Sequence, residues 1–146
     1  MADLPAREAM EFDVVIVGAG PAGLAAAIRL KQISSDINVV VVEMSGATEE
    51  LAHDIAVHIA FARPKYLVRE EVPAEAVAAE RATLETAMRN EGKPEAAIGK
   101  IVEGKLNGFY KDLCLLEQPY AKDDKKSVAQ VIGNASIVRF VQVEIG

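Results

Sequence analysis

Two unbroken runs of β-branched residues, Val14 to Val17 and Val39 to Val42, flank a glycine-rich turn, Gly18-Ala-Gly-Pro-Ala-Gly23. Nothing else in the chain narrows the fold as far. A strand with one wet face alternates apolar and polar residues, so continuous runs of this kind suit strands covered on both faces. Pro21 to Lys31 reads as a helix, with Pro21 at the first helical position, where a missing N–H breaks no hydrogen bond. Ser34-Ser-Asp36 reads as a polar loop. Strand, helix and strand of these lengths imply a parallel pair with a right-handed crossover.

The turn has a mechanical logic. Gly18 permits the tight turn off the first strand. Gly20 removes a side chain where a pyrophosphate would approach the backbone. Gly23 lets the helix pack close to the sheet. With Pro21 and Ala22 between them, these residues open a helix whose first N–H groups and positive dipole end favour phosphate. Glu43 closes the second strand about twenty residues on, where a carboxylate accepts hydrogen bonds from an adenosine ribose. The candidate cofactor site is therefore Gly18, Gly20, Pro21, Ala22, Gly23 and Glu43, and its candidate ligands are FAD, NAD or ADP, held weakly. Half of a dinucleotide site buries only the adenosine diphosphate end. The glycines could equally serve only as a turn and a helix-packing surface.

From residue 44 onward the pattern changes to helices. Thr48 is a plausible N-cap, with Glu49 and Glu50 complementing the dipole. Leu51, Ile55, Ile59 and Ala62 mark one helical face, and Pro64 closes it. Pro73 opens a second helix, which runs to about Asn90. Gly92 stops it and Pro94 starts a third. The third helix carries Ile98, Ile101, Val102, Leu106, Phe109 and Leu113. Residues 90 to 93 are too short a link for anything but an antiparallel hairpin, spanning about 73 to 113. Its first helix is thinly apolar (Val77, Leu84, Met88), which implies that it protrudes or meets a partner. A short helix is expected from about Asp124 to Val131, then a turn at Gly133-Asn134. Ile137 to Ile145 alternates like a half-buried strand. Residues 1 to 10 read as a loose lead-in. The fold class is α/β with α+β character: one compact domain over residues 1–146, with a small three-stranded mixed sheet, covering helices and a protruding hairpin.

The net charge of −6 argues against nucleic acid, which needs clustered Lys and Arg. Lys122, Lys125 and Lys126 are interleaved with Asp123 and Asp124 and read as a solvated turn. Cys114, the sole cysteine, lies among leucines and reads as a small buried hydrophobe. His53 and His58 are five residues apart, which turns them about 140° from each other on a helix, so they are not a metal pair. Glu70-Glu71 and Asp123-Asp124 read as solvated faces. The N-terminus does not resemble a signal peptide, and no apolar run is long enough for a membrane span. A cytoplasmic, non-membrane chain is expected.

Two resemblances account for the change at residue 44. Residues 9–32, about a quarter of the chain together with the following strand, resemble the FAD-binding N-terminus of electron-transfer flavoprotein:ubiquinone oxidoreductase. In that family the positions matching Gly18, Gly20, Gly23 and Glu43 would hold the ADP half of FAD. The second nucleotide-binding segment, the iron–sulfur cysteines and the quinone region of that family have no counterpart here. From about residue 40 the chain is similar to the C-terminal core and helical hairpin of elongation factor Ts. The similarity runs through Leu51-Ala-His-Asp-Ile-Ala-Val-His-Ile-Ala60, Pro64-Lys-Tyr-Leu67, Asn90-Glu-Gly-Lys-Pro94, Leu115-Leu-Glu-Gln-Pro-Tyr120 and the closing Val138-Arg-Phe-Val-Gln-Val-Glu-Ile-Gly146. This resemblance implies a surface for elongation factor Tu and a hairpin able to form a homodimer. The family's Thr-Asp-Phe-Val exchange segment has no counterpart, so efficient nucleotide exchange is not expected.

The join falls in the strand Val39 to Met44, which suits both halves. A random fusion would seldom keep strand period, strand end and helix start in step. The expectation is a designed or recombined chimeric domain, not an enzyme, that keeps part of the elongation factor Ts surface. The alternative is a weak nucleotide-binding module built on the glycine turn.

Overall fold

The computed structural model describes residues 13–143. The lead-in over residues 1 to 10 and the expected strand end at Ile145 lie outside them. The chain divides into two compact units, Met1–Phe61 with Ile137–Gly146, and Ala62–Ser136.

The first unit is built on a three-stranded mixed sheet in the order β1-β2-β5, where β1 is Val14–Val17, β2 is Val39–Ser45 and β5 is Ser136–Val143. The sequence leaves this order open. With β2 in the centre, its valines gain neighbours on both edges as well as both faces, and Val39, Val40, Val41 and Val42 are all buried. β1 and β2 are parallel, with Val14 opposite Val39 and Val17 opposite Val42. The crossover between them is α1, Pro21–Ile33. Side chains alternate across a strand. Val39 and Val41 accordingly join Ala19 and Ala27 in one cluster, lined by Val14, Ile16, Leu30 and Ile37. Val15 and Val17 face the other way, into an open cleft of about 840 Å³ shared with Thr48, Glu49, Glu50 and His53. Those residues open α2, Glu49–Ala62, so the unit has α1 on one face of the sheet and α2 on the other. The Thr48 hydroxyl accepts from the Leu51 N–H at 3.2 Å, as its N-cap role requires.

The second unit carries the hairpin of α3, Ala74–Asn90, and α4, Glu95–Leu113. Gly92 takes φ 72°, and the Lys93 N–H closes back on the Met88 carbonyl at 3.1 Å. That is the left-handed stop expected of a glycine just past a helix end. Met88, Ile98, Val102 and Leu106 form the hairpin core, and Met88 is the only buried residue of α3.

The helix expected from about Asp124 to Val131 is corrected. Asp123–Ser127 is a strand, β4, paired antiparallel with β3 at Pro119–Tyr120, and only Val128–Ile132 is helical, as α5. The start is set by Ser127. Its hydroxyl accepts from the Gln130 N–H at 3.3 Å, while the Gln130 side chain accepts from the Ser127 N–H at 2.9 Å. This capping box closes the helix at Ser127 and leaves the preceding charged residues to the hairpin ladder. Among the described residues no helix is long and apolar enough to cross a membrane.

Candidate functional site

The glycine turn leaves the end of β1 on a hydrogen bond from the Gly18 N–H to the Val42 carbonyl, 2.7 Å. Gly18 has φ 104°, which side chains rarely tolerate. Gly20 is the N-cap of α1, with φ −66° and ψ 177°, and Pro21 follows as the first helical residue. A Cβ on Gly20 would meet nothing within 4 Å, so the turn is open on that side. A Cβ on Gly23 would stand 1.9 Å from the Gly18 carbonyl oxygen and 3.3 Å from the Ile16 side chain. Gly18 and Gly23 thus fit the turn and the helix-packing roles that their spacing suggests. The N–H groups of Ala22 and Gly23 lie in the first turn, where a helix offers no internal acceptor. No acid sits in that turn to compete with an anion. The turn therefore presents an open backbone face and a helix N-terminus free of acids, a setting that suits an anion.

Glu43 lies near the end of β2, which runs two residues further to Ser45. Its carboxylate accepts from Arg139 Nε at 2.9 Å, and Arg139 Nη2 donates to the Ala19 carbonyl inside the turn. Arg139, on β5, therefore reaches across the end of β2 and ties the acid to the glycine turn. Sequence reasoning missed it. An arginine in an alternating strand reads as an outward-facing residue, and its partner is 96 positions away.

The histidines do not come together as ligands: His58 is buried, whereas His53 is exposed on the rim of the cleft described above. Among the described residues, no group of three or more His, Cys, Asp and Glu could hold a metal ion. In the second unit, Arg69 bridges the Glu117 carboxylate, donates to Asn107 Oδ1 at 3.0 Å, and stacks 4.5 Å over the Tyr110 ring. Its hydrogen bond to Glu117 raises the guanidinium pKa. This brace ties the loop after Tyr66 to α4 and the turn that follows it.

Cys114 is fully buried, and its backbone bridges to Tyr66. Burial pushes its thiol up from about 9 to about 11, and the Glu117 carboxylate adds to the rise. The unfolded thiol ionises first as pH increases, so this contribution to stability is intact below about pH 9 and lost as pH rises towards 11. We expect the thiol to resist an aromatic disulfide reagent at pH 8 until denaturant is added. Rapid labelling of the folded chain would contradict the burial.

A family model described as Elongation factor TS matches residues 33–146. The chain belongs to the elongation factor Ts family. Elongation factor Ts of Clavibacter michiganensis subsp. michiganensis is 54% identical over 109 residues, which are 73% of this chain and 40% of that protein. The Streptomyces griseus protein of the same name is 55% identical over 109 residues, 73% of this chain and 39% of its own length. For the Mycolicibacterium vanbaalenii protein the values are 50%, 73% and 40%. The chain thus spans about 40% of the length of these curated elongation factor Ts relatives. A second model, described as Thi4 family, matches residues 3–50. It is consistent with an N-terminal segment of the dinucleotide-binding type and does not single out the flavoprotein family that residues 9–32 resemble. The two matches overlap over residues 33–50, the stretch that holds β2.

Proposed function

We propose that this chain is a non-catalytic binding module that keeps part of an elongation factor Ts surface for elongation factor Tu and promotes nucleotide exchange poorly or not at all. The observation that carries this reading is the elongation factor Ts match over residues 33–146, which includes the whole α3–α4 hairpin. The absence of a Thr-Asp-Phe-Val segment from the sequence supports the loss of exchange. The overlap of two unrelated family matches on β2 supports a recombined or designed origin, with one buried strand serving both parents. The experiment is to immobilise the full chain, pass elongation factor Tu bound to GDP over it, and follow release of a fluorescent GDP in parallel. The expected result is saturable retention with an unchanged release rate. No retention, or a release rate that climbs with added chain, overturns the proposal.

A second reading has its own support. The open face at Gly20, the free first-turn N–H groups and the close Gly23–Gly18 approach fit the ADP portion of FAD, NAD or ADP itself. In this reading the glycine turn holds adenosine diphosphate by its phosphates, and Gly18, Gly20, Pro21, Ala22 and Gly23 form the cradle. Glu43 is the acceptor for the ribose.

A further inference from the structure

The Glu43 carboxylate, near the end of β2, is already engaged. In a glycine-turn site of this type a terminal acid takes the ribose hydroxyls, yet here Glu43 Oε2 accepts from Arg139 Nε at 2.9 Å. The same guanidinium donates through Nη2 to the Ala19 carbonyl, at the lip of the turn. We propose that Arg139 sets the ribose selectivity of the glycine turn, so that it favours an adenosine nucleotide with a phosphorylated 2′-position over one with a free 2′-hydroxyl. The inference rests on the nucleotide-binding reading of that turn.

Three observations carry it. A free ribose hydroxyl must compete with Arg139 for Glu43, and a neutral hydroxyl is a poor competitor for a carboxylate against a guanidinium. A phosphate, by contrast, is a partner for the guanidinium. A guanidinium has five N–H donors, and the two contacts to Glu43 and Ala19 use two of them, leaving three that neither contact occupies. Finally, the side chains are about half and one third exposed, 49% for Arg139 and 34% for Glu43. A guanidinium this exposed can meet an incoming anion with the donors that Glu43 and Ala19 leave unused, without releasing the acid.

The test is calorimetric titration of the full chain with adenosine 2′,5′-bisphosphate and, separately, with AMP, which differs from it only by the 2′-phosphate. The expected result is about tenfold tighter binding of the bisphosphate, a ratio set by one charge-assisted contact. Arg139→Gln should erase or invert that ratio, while Arg139→Lys should keep part of it as a point charge without the fork. Should Arg139→Gln lose its cooperative melt, Glu43→Gln serves instead. It frees the guanidinium, and the bisphosphate should then bind more tightly still. Equal binding of the two nucleotides, or a ratio unmoved by Arg139→Gln, overturns the selectivity while leaving the nucleotide site standing. No heat with either nucleotide, from wild type and variants that melt cooperatively, overturns both.

Discussion

Gly23→Ala should destabilise the unit that carries the three-stranded sheet by about 3 kcal/mol, towards the upper end of what overpacking costs. The added methyl would stand 1.9 Å from the Gly18 carbonyl oxygen and 3.1 Å from its carbon. Both are backbone atoms, so no side chain can swing aside. Gly18 cannot retreat easily, because its N–H is bonded to Val42 at 2.7 Å and its φ of 104° is a conformation already reserved for glycine. The helix would have to lift from the sheet instead. That would loosen Ala27 and Leu30 from Val39 and Val41, which share one cluster. Gly20→Ala is the matched control. Its Cβ meets nothing within 4 Å and its φ is −66°, so the loss should stay under about 1 kcal/mol, the cost of a poorer N-cap residue. Denaturant unfolding of both variants, with amide exchange on β2 to localise the loss, checks the pair. Equal losses would mean that the close approach of helix and sheet does not hold the turn.

The same contrast shows what could be read from the residues alone. Gly18, Gly20 and Gly23 act within a few positions of one another, so their roles follow from spacing, and the structure supplies the positive φ and the near contact that spacing implies. Helix ends were legible for the same reason. Thr48, Pro73, Gly92 and Pro94 act on the next turn of chain, and α2, α3 and α4 begin and end beside them. Long-range pairings left no local trace. The central place of β2 shows only in the company of β1 and β5. Arg139 meets Glu43, and Arg69 meets Glu117, across 96 and 48 positions. The β3–β4 hairpin was missed because Asp123 to Lys126 lack both an apolar alternation and a glycine turn. They pair because Tyr120, which is buried, anchors the partner strand. The capping box is a local signal, Ser127 with Gln130 three residues on, and it marks the start of α5.

In the second unit the largest effect is expected at Leu106. Leu106→Ala should cost about 3 kcal/mol, within the usual range for deleting a buried leucine. Leu106 is 2% exposed and sits with Met88, Ile98 and Val102 in the cluster that joins α3 to α4. α3 has little else to hold it. Met88 is its only buried residue, with Val77, Leu84 and Ala87 packed at the margin. A cavity at Leu106 therefore removes apolar contact that α3, with one buried residue of its own, is poorly placed to replace. The ion pair from Arg81 to Glu103, at 2.6 Å, also crosses the hairpin, but both side chains are exposed. Exposed pairs contribute little, because water already solvates both charges and ordering two long side chains costs entropy. Glu103→Gln should accordingly leave the unfolding transition almost where it is, with a shift that vanishes at high salt. Amide exchange along α3 separates the cases. Leu106→Ala should speed exchange over the length of α3, whereas Glu103→Gln should change only the turn around Arg81. If the two variants loosen α3 equally, charge pairing and not the apolar seam holds the hairpin.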